Sequence, residues 1–105
     1  MDVLETIAIP ELVKNEVKSL NSEAEIILFG SRARGDWRKD SDWDFLILLN
    51  EEVSERLKRE IRDRLFEVEL TTEEVISTII ENKENWLRYE VTPLYKNIEK
   101  EGVEV

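Results

Sequence analysis

A chain of 105 residues, 41% hydrophobic and 38% charged, suffices for one core and is too short for two, so a single domain over residues 1–105 is expected. Cysteine and histidine are both absent, which excludes disulfides, thiolate chemistry, and the commonest zinc ligand and general base. The net charge of −10 gives no electrostatic basis for direct nucleic-acid binding by this chain.

No apolar run reaches the roughly 18 to 20 residues of a membrane span. The start, MDVLETIAIP, has acids where an export signal carries basic residues, so a cytoplasmic protein is expected. Any chemistry falls to Asp, Glu, Arg, Lys, Ser, Thr, Tyr and backbone groups, a donor set that suits hard cations.

Residues 9–20 read as the first helix, with Pro10 in its first turn, Glu11 facing the dipole, and Ile9, Val13, Val17 and Leu20 at helical spacing. After a break at Asn21-Ser22, the apolar run Ala24 to Phe29 reads as a buried strand. Gly30 ends it, and Ser31 to Gly35 allow about one helical turn. Asp36 to Ser41 form a charged loop, followed by a second strand from about Asp42 to Leu49. Side chains alternate along a strand, so Asp42, Asp44, Leu46 and Leu48 share one face and Trp43, Phe45, Ile47 and Leu49 the other.

Asn50 is a candidate N-cap for a long helix with Glu51 and Glu52 in its first turn. Val53, Leu57, Ile61, Leu65 and Val68 make its apolar stripe, and Arg56 to Arg64 a solvated face interleaved with acids. Thr71-Thr72 suggest a break, and Val75 to Ile80 a β-branched third strand. Asn82 then caps a short helix holding Trp86. Thr92-Pro93 open a last helix that Gly102 stops, and residues 103–105 add a short edge strand.

The chemistry concentrates in Gly30 to Leu49, GSRARGDWRKDSDWDFLILL. A glycine and a serine at a tight turn offer backbone and hydroxyl donors to phosphate oxygens. Two carboxylates two apart on a strand point the same way and can share a divalent cation. The blander alternative makes Asp42 and Asp44 surface partners of Arg38 and Lys39. Trp43 belongs to the core face, whereas Trp37, in the loop, is the tryptophan placed for an exposed contact.

Gly30-Ser31, the basic turn, and Ser41-Asp42-Trp43-Asp44 resemble the signature of the DNA polymerase β nucleotidyltransferase superfamily. GSRARG followed by SDWDFLIL is similar to its minimal nucleotidyltransferase branch, over nearly the whole chain. The resemblance implies an α/β (α+β) fold, a small mixed sheet packed on one side by helices. It implies Mg²⁺-dependent transfer of a nucleoside monophosphate, AMP from ATP, to an acceptor hydroxyl.

By position, it makes Gly30, Ser31, Arg32, Arg34 and Ser41 nucleotide-binding candidates. For the arginines the choice between phosphate contact and fixing the turn stays open, and Ser41 could serve to cap the loop. Asp42 and Asp44 become catalytic metal ligands. Such enzymes place a third carboxylate on the strand after the long helix. Here that run, VISTII, holds no acid, and Glu74 at its leading edge is the first candidate, with Glu73 and Glu69 behind it. The resemblance further implies a helical HEPN-type partner protein in a toxin–antitoxin pair. Two rivals stand beside this reading: a catalytically impaired antitoxin that acts by binding its partner, and an antibiotic-modifying transferase, which the length disfavours.

Overall fold

The computed structural model describes residues 3–105, with side chains from Ile9 onward. The order is α1 (Val3–Leu20), β1 (Glu25–Phe29), α2 (Ser31–Arg34), β2 (Trp43–Leu49), α3 (Glu55–Thr72), β3 (Ile76–Asn82), α4 (Lys83–Leu87), α5 (Pro93–Glu101) and β4 (Val103–Glu104). The strands form one sheet in the order β3-β2-β1-β4. β1 runs antiparallel to β2 and β4, while β2 and β3 are parallel and joined through α3. This is the expected small mixed sheet of an α/β fold.

The first helix begins earlier than residue 9. Pro10 lies inside α1 rather than in its first turn. Proline costs the helix one N–H bond, but its fixed φ suits a helical backbone, so the chain continues through it. Ile9 just before it, and Val13 and Val17 after it, are fully buried.

The cap of α3 is also displaced. Ser54, not Asn50, is the N-cap, its Oγ accepting the Leu57 N–H at 3.0 Å. Asn50 instead donates its side-chain amide to Glu23 at 2.9 Å, leaving Glu51, Glu52 and Val53 ahead of the helix. Val53 still packs against the core. Thr71 and Thr72 close α3, each hydroxyl donating to the carbonyl four residues back, and Glu73 caps it at a left-handed φ of 60°. Asn82, Thr92 and Pro93 take the capping places expected of them. Gly102 stops α5 in extended backbone, where a side chain would collide with the Ile98 carbonyl and Ile27.

Two clusters of apolar side chains sandwich the sheet. On one face Trp43, Phe45, Ile47 and Leu49 meet Ile9, Val13 and Val17 of α1 and Ile61 and Leu65 of α3. The opposite face is not left bare: Leu46 and Leu48 pack with Trp86 of α4 and Ile98 of α5. Helices therefore lie on both sides, because the short C-terminal helices fold back over the far half of the carboxylate-bearing face. Among the described residues, no helix is long and apolar enough to cross a membrane.

Candidate active site

The turn between β1 and β2 is built on Gly30, whose φ of 75° and ψ of −161° are open essentially to glycine alone. The site also needs the missing Cβ, since an added carbon would collide with Asp44 Oδ2. Thus the turn and one carboxylate pack directly together. The Gly30 carbonyl accepts the N–H groups of Ala33 and Arg34 at 3.0 Å each, closing α2. Ser31 opens that turn, and Gly35 ends it at a φ of 89°.

Asp42 immediately precedes β2 and Asp44 is its second residue. Burial, and then the charge of Asp42, push the Asp44 carboxyl above the usual range, while Arg34 pulls it back down. The two carboxylates repel one another at this end of β2. These two carboxylates beside a turn fit a divalent metal by donor type.

Among the described residues, β3 sets no acid opposite Asp44. In the parallel register Asp44 faces Ser77, whose Oγ donates to Asp42 Oδ2 at 3.5 Å. Glu74 is not brought to the pair: its carboxylate lies 3.8 Å from the Arg32 guanidinium. Glu69 accepts the Ile76 N–H at 2.9 Å, and Glu73 caps α3. Among the described residues, no three acidic side chains gather to hold a metal. Sequence reasoning missed Ser77, although a serine inside the otherwise β-branched VISTII was a signal once the register with β2 is known.

The two arginines of the turn are engaged differently. Arg32 is 7% exposed and its Cζ sits 4.4 Å from the ring centroids of both Trp37 and Trp43. Its Nη2 donates to the carbonyls of Ser41 at 3.0 Å and Lys39 at 3.4 Å. Arg34 is half exposed and donates to Asp36 at 3.2 Å and to both oxygens of Glu101 at 3.2 and 3.3 Å. Glu101 also accepts the Gly30 N–H at 3.2 Å. This last residue of α5 was not foreseen as part of the site. Ser41 braces its own loop, its Oγ accepting the Arg38 N–H at 2.8 Å. Past Asp44 on the same face, Leu46 and Leu48 floor a groove of about 400 Å³ walled by Trp86, Tyr95 and Ile98.

Solved structures share this fold. The chain is similar to the toxin–antitoxin MntA–HpeT in a form with two aspartates changed to glutamate (TM-score 0.64, 14% identity, 90% of this chain and 70% of that one). A nucleotidyltransferase fold from Sulfolobus solfataricus, solved at 1.40 Å, aligns with a TM-score of 0.58 and 22% identity over 97% of this chain and 83% of that one. A toxin–antitoxin solved with AMP-PNP aligns at 0.57 and 19% over 87% and 70%. Among curated protein sequences none matches the chain. The family model described as the nucleotidyltransferase domain matches residues 11–105, and the chain belongs to that family.

Proposed function

We propose that this domain transfers a nucleoside monophosphate, AMP from ATP, to a hydroxyl on a partner protein, using Mg²⁺. The observation that carries this reading is the contact between the Gly30 turn and Asp44, with Asp42 beside it on the open half of the sheet face. Gly30 and Ser31 would receive the triphosphate, and Asp42 and Asp44 would hold the metal. When bound, that ion would neutralise phosphate charge and favour departure of pyrophosphate.

The acceptor oxygen attacks the α-phosphorus, forming one P–O bond as the bond to pyrophosphate breaks. The hydroxyl proton passes to solvent or to the Asp42–Asp44 pair, since Ser77 is no base. Adenine is favoured because a similar structure was solved with AMP-PNP. A protein partner is favoured because two similar structures are toxin–antitoxin assemblies, one of them substituted at two aspartates two residues apart. For this chain we propose a helical partner of the HEPN type and a cytoplasmic location.

A second reading, an impaired transferase acting by binding that partner, is favoured by Ser77 standing opposite Asp44 with no third carboxylate clustered with the pair among the described residues. Titration with ATP, with and without Mg²⁺, followed by label transfer from α-³²P-ATP to co-expressed partner proteins, separates the two. Transfer that disappears in the Asp42→Asn, Asp44→Asn protein supports the enzyme. Metal-dependent ATP binding without transfer to any partner supports the binding module.

A further inference from the structure

The close contacts of Arg32 run along the loop that ends at Asp42, through Trp37 and the Lys39 and Ser41 carbonyls, and continue to Trp43 and Glu74. The carbonyl it binds at 3.0 Å belongs to Ser41, in the peptide bond that leads into Asp42. The ring stacked on one side of its guanidinium is Trp43, the residue that follows Asp42. The ring on the other side is Trp37, from the start of the loop that delivers Asp42. Glu74, facing Arg32 at 3.8 Å, precedes Val75, whose carbonyl accepts the Trp43 N–H at 2.8 Å. Arg32 itself stands two residues after Gly30, inside the turn that packs on Asp44.

The energetics make this a hold and not an accident. Burying a guanidinium costs several kcal/mol, and its Nε and Nη1 are buried with no hydrogen-bond partner among the described residues. Stacking on the buried Trp43 and on the half-exposed Trp37 offsets part of that cost, the former more strongly because it is desolvated, and the hydrogen bonds of Nη2 add to it as charge-assisted ones do. A planar cation is required: lysine could reach one carbonyl but offers no plane to two indoles.

We propose that Arg32, caged by Trp37 and Trp43 and neutralised by Glu74, is a positioning residue that sets Asp42 beside Asp44 and does not touch the nucleotide. The cage couples the Gly30 turn to the entry of β2, so the spacing of the two carboxylates depends on it. This assignment rests on the reading of Asp42 and Asp44 as a divalent-cation site. It gives Glu74 a role on the face opposite the pair, and gives the half-exposed Trp37 a role as one wall of the cage.

The test titrates Mn²⁺ alone into the full chain, following free Mn²⁺ by electron paramagnetic resonance, for the unsubstituted protein and for Arg32→Lys, Trp37→Ala and Glu74→Gln. The expected result is a loss of cation affinity of about tenfold in Trp37→Ala and more in Arg32→Lys, within the 10–100-fold range of residues that orient metal ligands. Trp37→Ala keeps the test decisive should Arg32→Lys unfold, because Trp37 is 45% exposed.

A cage that only stabilises the fold would lower the melting temperature and leave Mn²⁺ affinity of the folded protein unchanged; that outcome overturns the proposal. Unchanged Mn²⁺ affinity with weakened Mg·ATP binding in Arg32→Lys also overturns it, by making Arg32 a phosphate ligand. No Mn²⁺ binding by the unsubstituted protein overturns the metal-site reading and this inference together.

Discussion

The two faces of β2 were built from alternate residues of one seven-residue strand, yet they obey different rules. Toward α1 and α3, Trp43, Phe45, Ile47 and Leu49 are sealed in a continuous apolar cluster. Toward the other side, Asp42 and Asp44 lie at the uncovered end and only Leu46 and Leu48 are roofed, by Trp86 and Ile98. Packing is satisfied on the first face and left incomplete on the second. A strand can thus carry stability and an electrostatic conflict at once, because consecutive side chains do not share an environment.

The sharpest way to break this contrast is to swap the expected costs. Phe45→Ala should destabilise the domain by about 3–5 kcal/mol, as a fully buried aromatic does, read from urea unfolding. Next, Asp42→Asn with Asp44→Asn should weaken Mn²⁺ binding beyond the 10–100-fold seen when mere supporting residues are lost. Urea unfolding of that double variant should show no loss of stability, since removing two crowded charges relieves repulsion. A large destabilisation there would show that the acids serve the fold.

Gly30→Ala tests the seam between turn and carboxylate. The forced left-handed backbone alone costs of order 1–3 kcal/mol, and the new methyl group must also displace Asp44. Both the melting temperature and Mn²⁺ affinity should fall. Ser77→Asp should act oppositely on the cation, tightening Mn²⁺ by about tenfold, or 1.4 kcal/mol. No gain in calorimetry would mean that position 77 does not reach the ion.

The smallest effect is in pH. Because burial and then Asp42 raise the Asp44 carboxyl above the ordinary carboxylate range, the folded chain holds more protons than the unfolded one at mildly acidic pH. This group's contribution to stability therefore falls as pH rises through that window. Asp44→Asn should flatten the slope, and Mg²⁺, which favours the charged form, should release protons on binding. A melting-temperature series from pH 4 upward checks the sign.

Much of this was legible in the sequence because it is local. Alternation along SDWDFLILL separated the faces of β2, and Asn82, Thr92 and Pro93 announced their helices by capping chemistry. What escaped was non-local. Glu74 was the nearest acid by sequence, but Arg32 claims it, and the parallel register sets Ser77 opposite Asp44 instead. The stacking of Arg32 between two tryptophans depends on the loop path, which no spacing rule encodes. Asn50 and Ser54 are both good caps, and pairing of Asn50 with Glu23 decided between them. Pro10 does not mark the first turn because α1 reaches back to Val3 and runs through it, despite the lost bond and the crowding of the preceding turn.

The bond from the Gly30 amide to Glu101 spans 71 positions. Translation delivers a chain from its amino end at about 5–20 residues per second, so the bend meets its tether only after residue 101 has cleared the ribosome. For several seconds of every synthesis, the residues of β1, α2 and β2 therefore have neither that carboxylate nor the β4 edge that follows it. Whatever shape the bend takes in that interval, it takes without its tether.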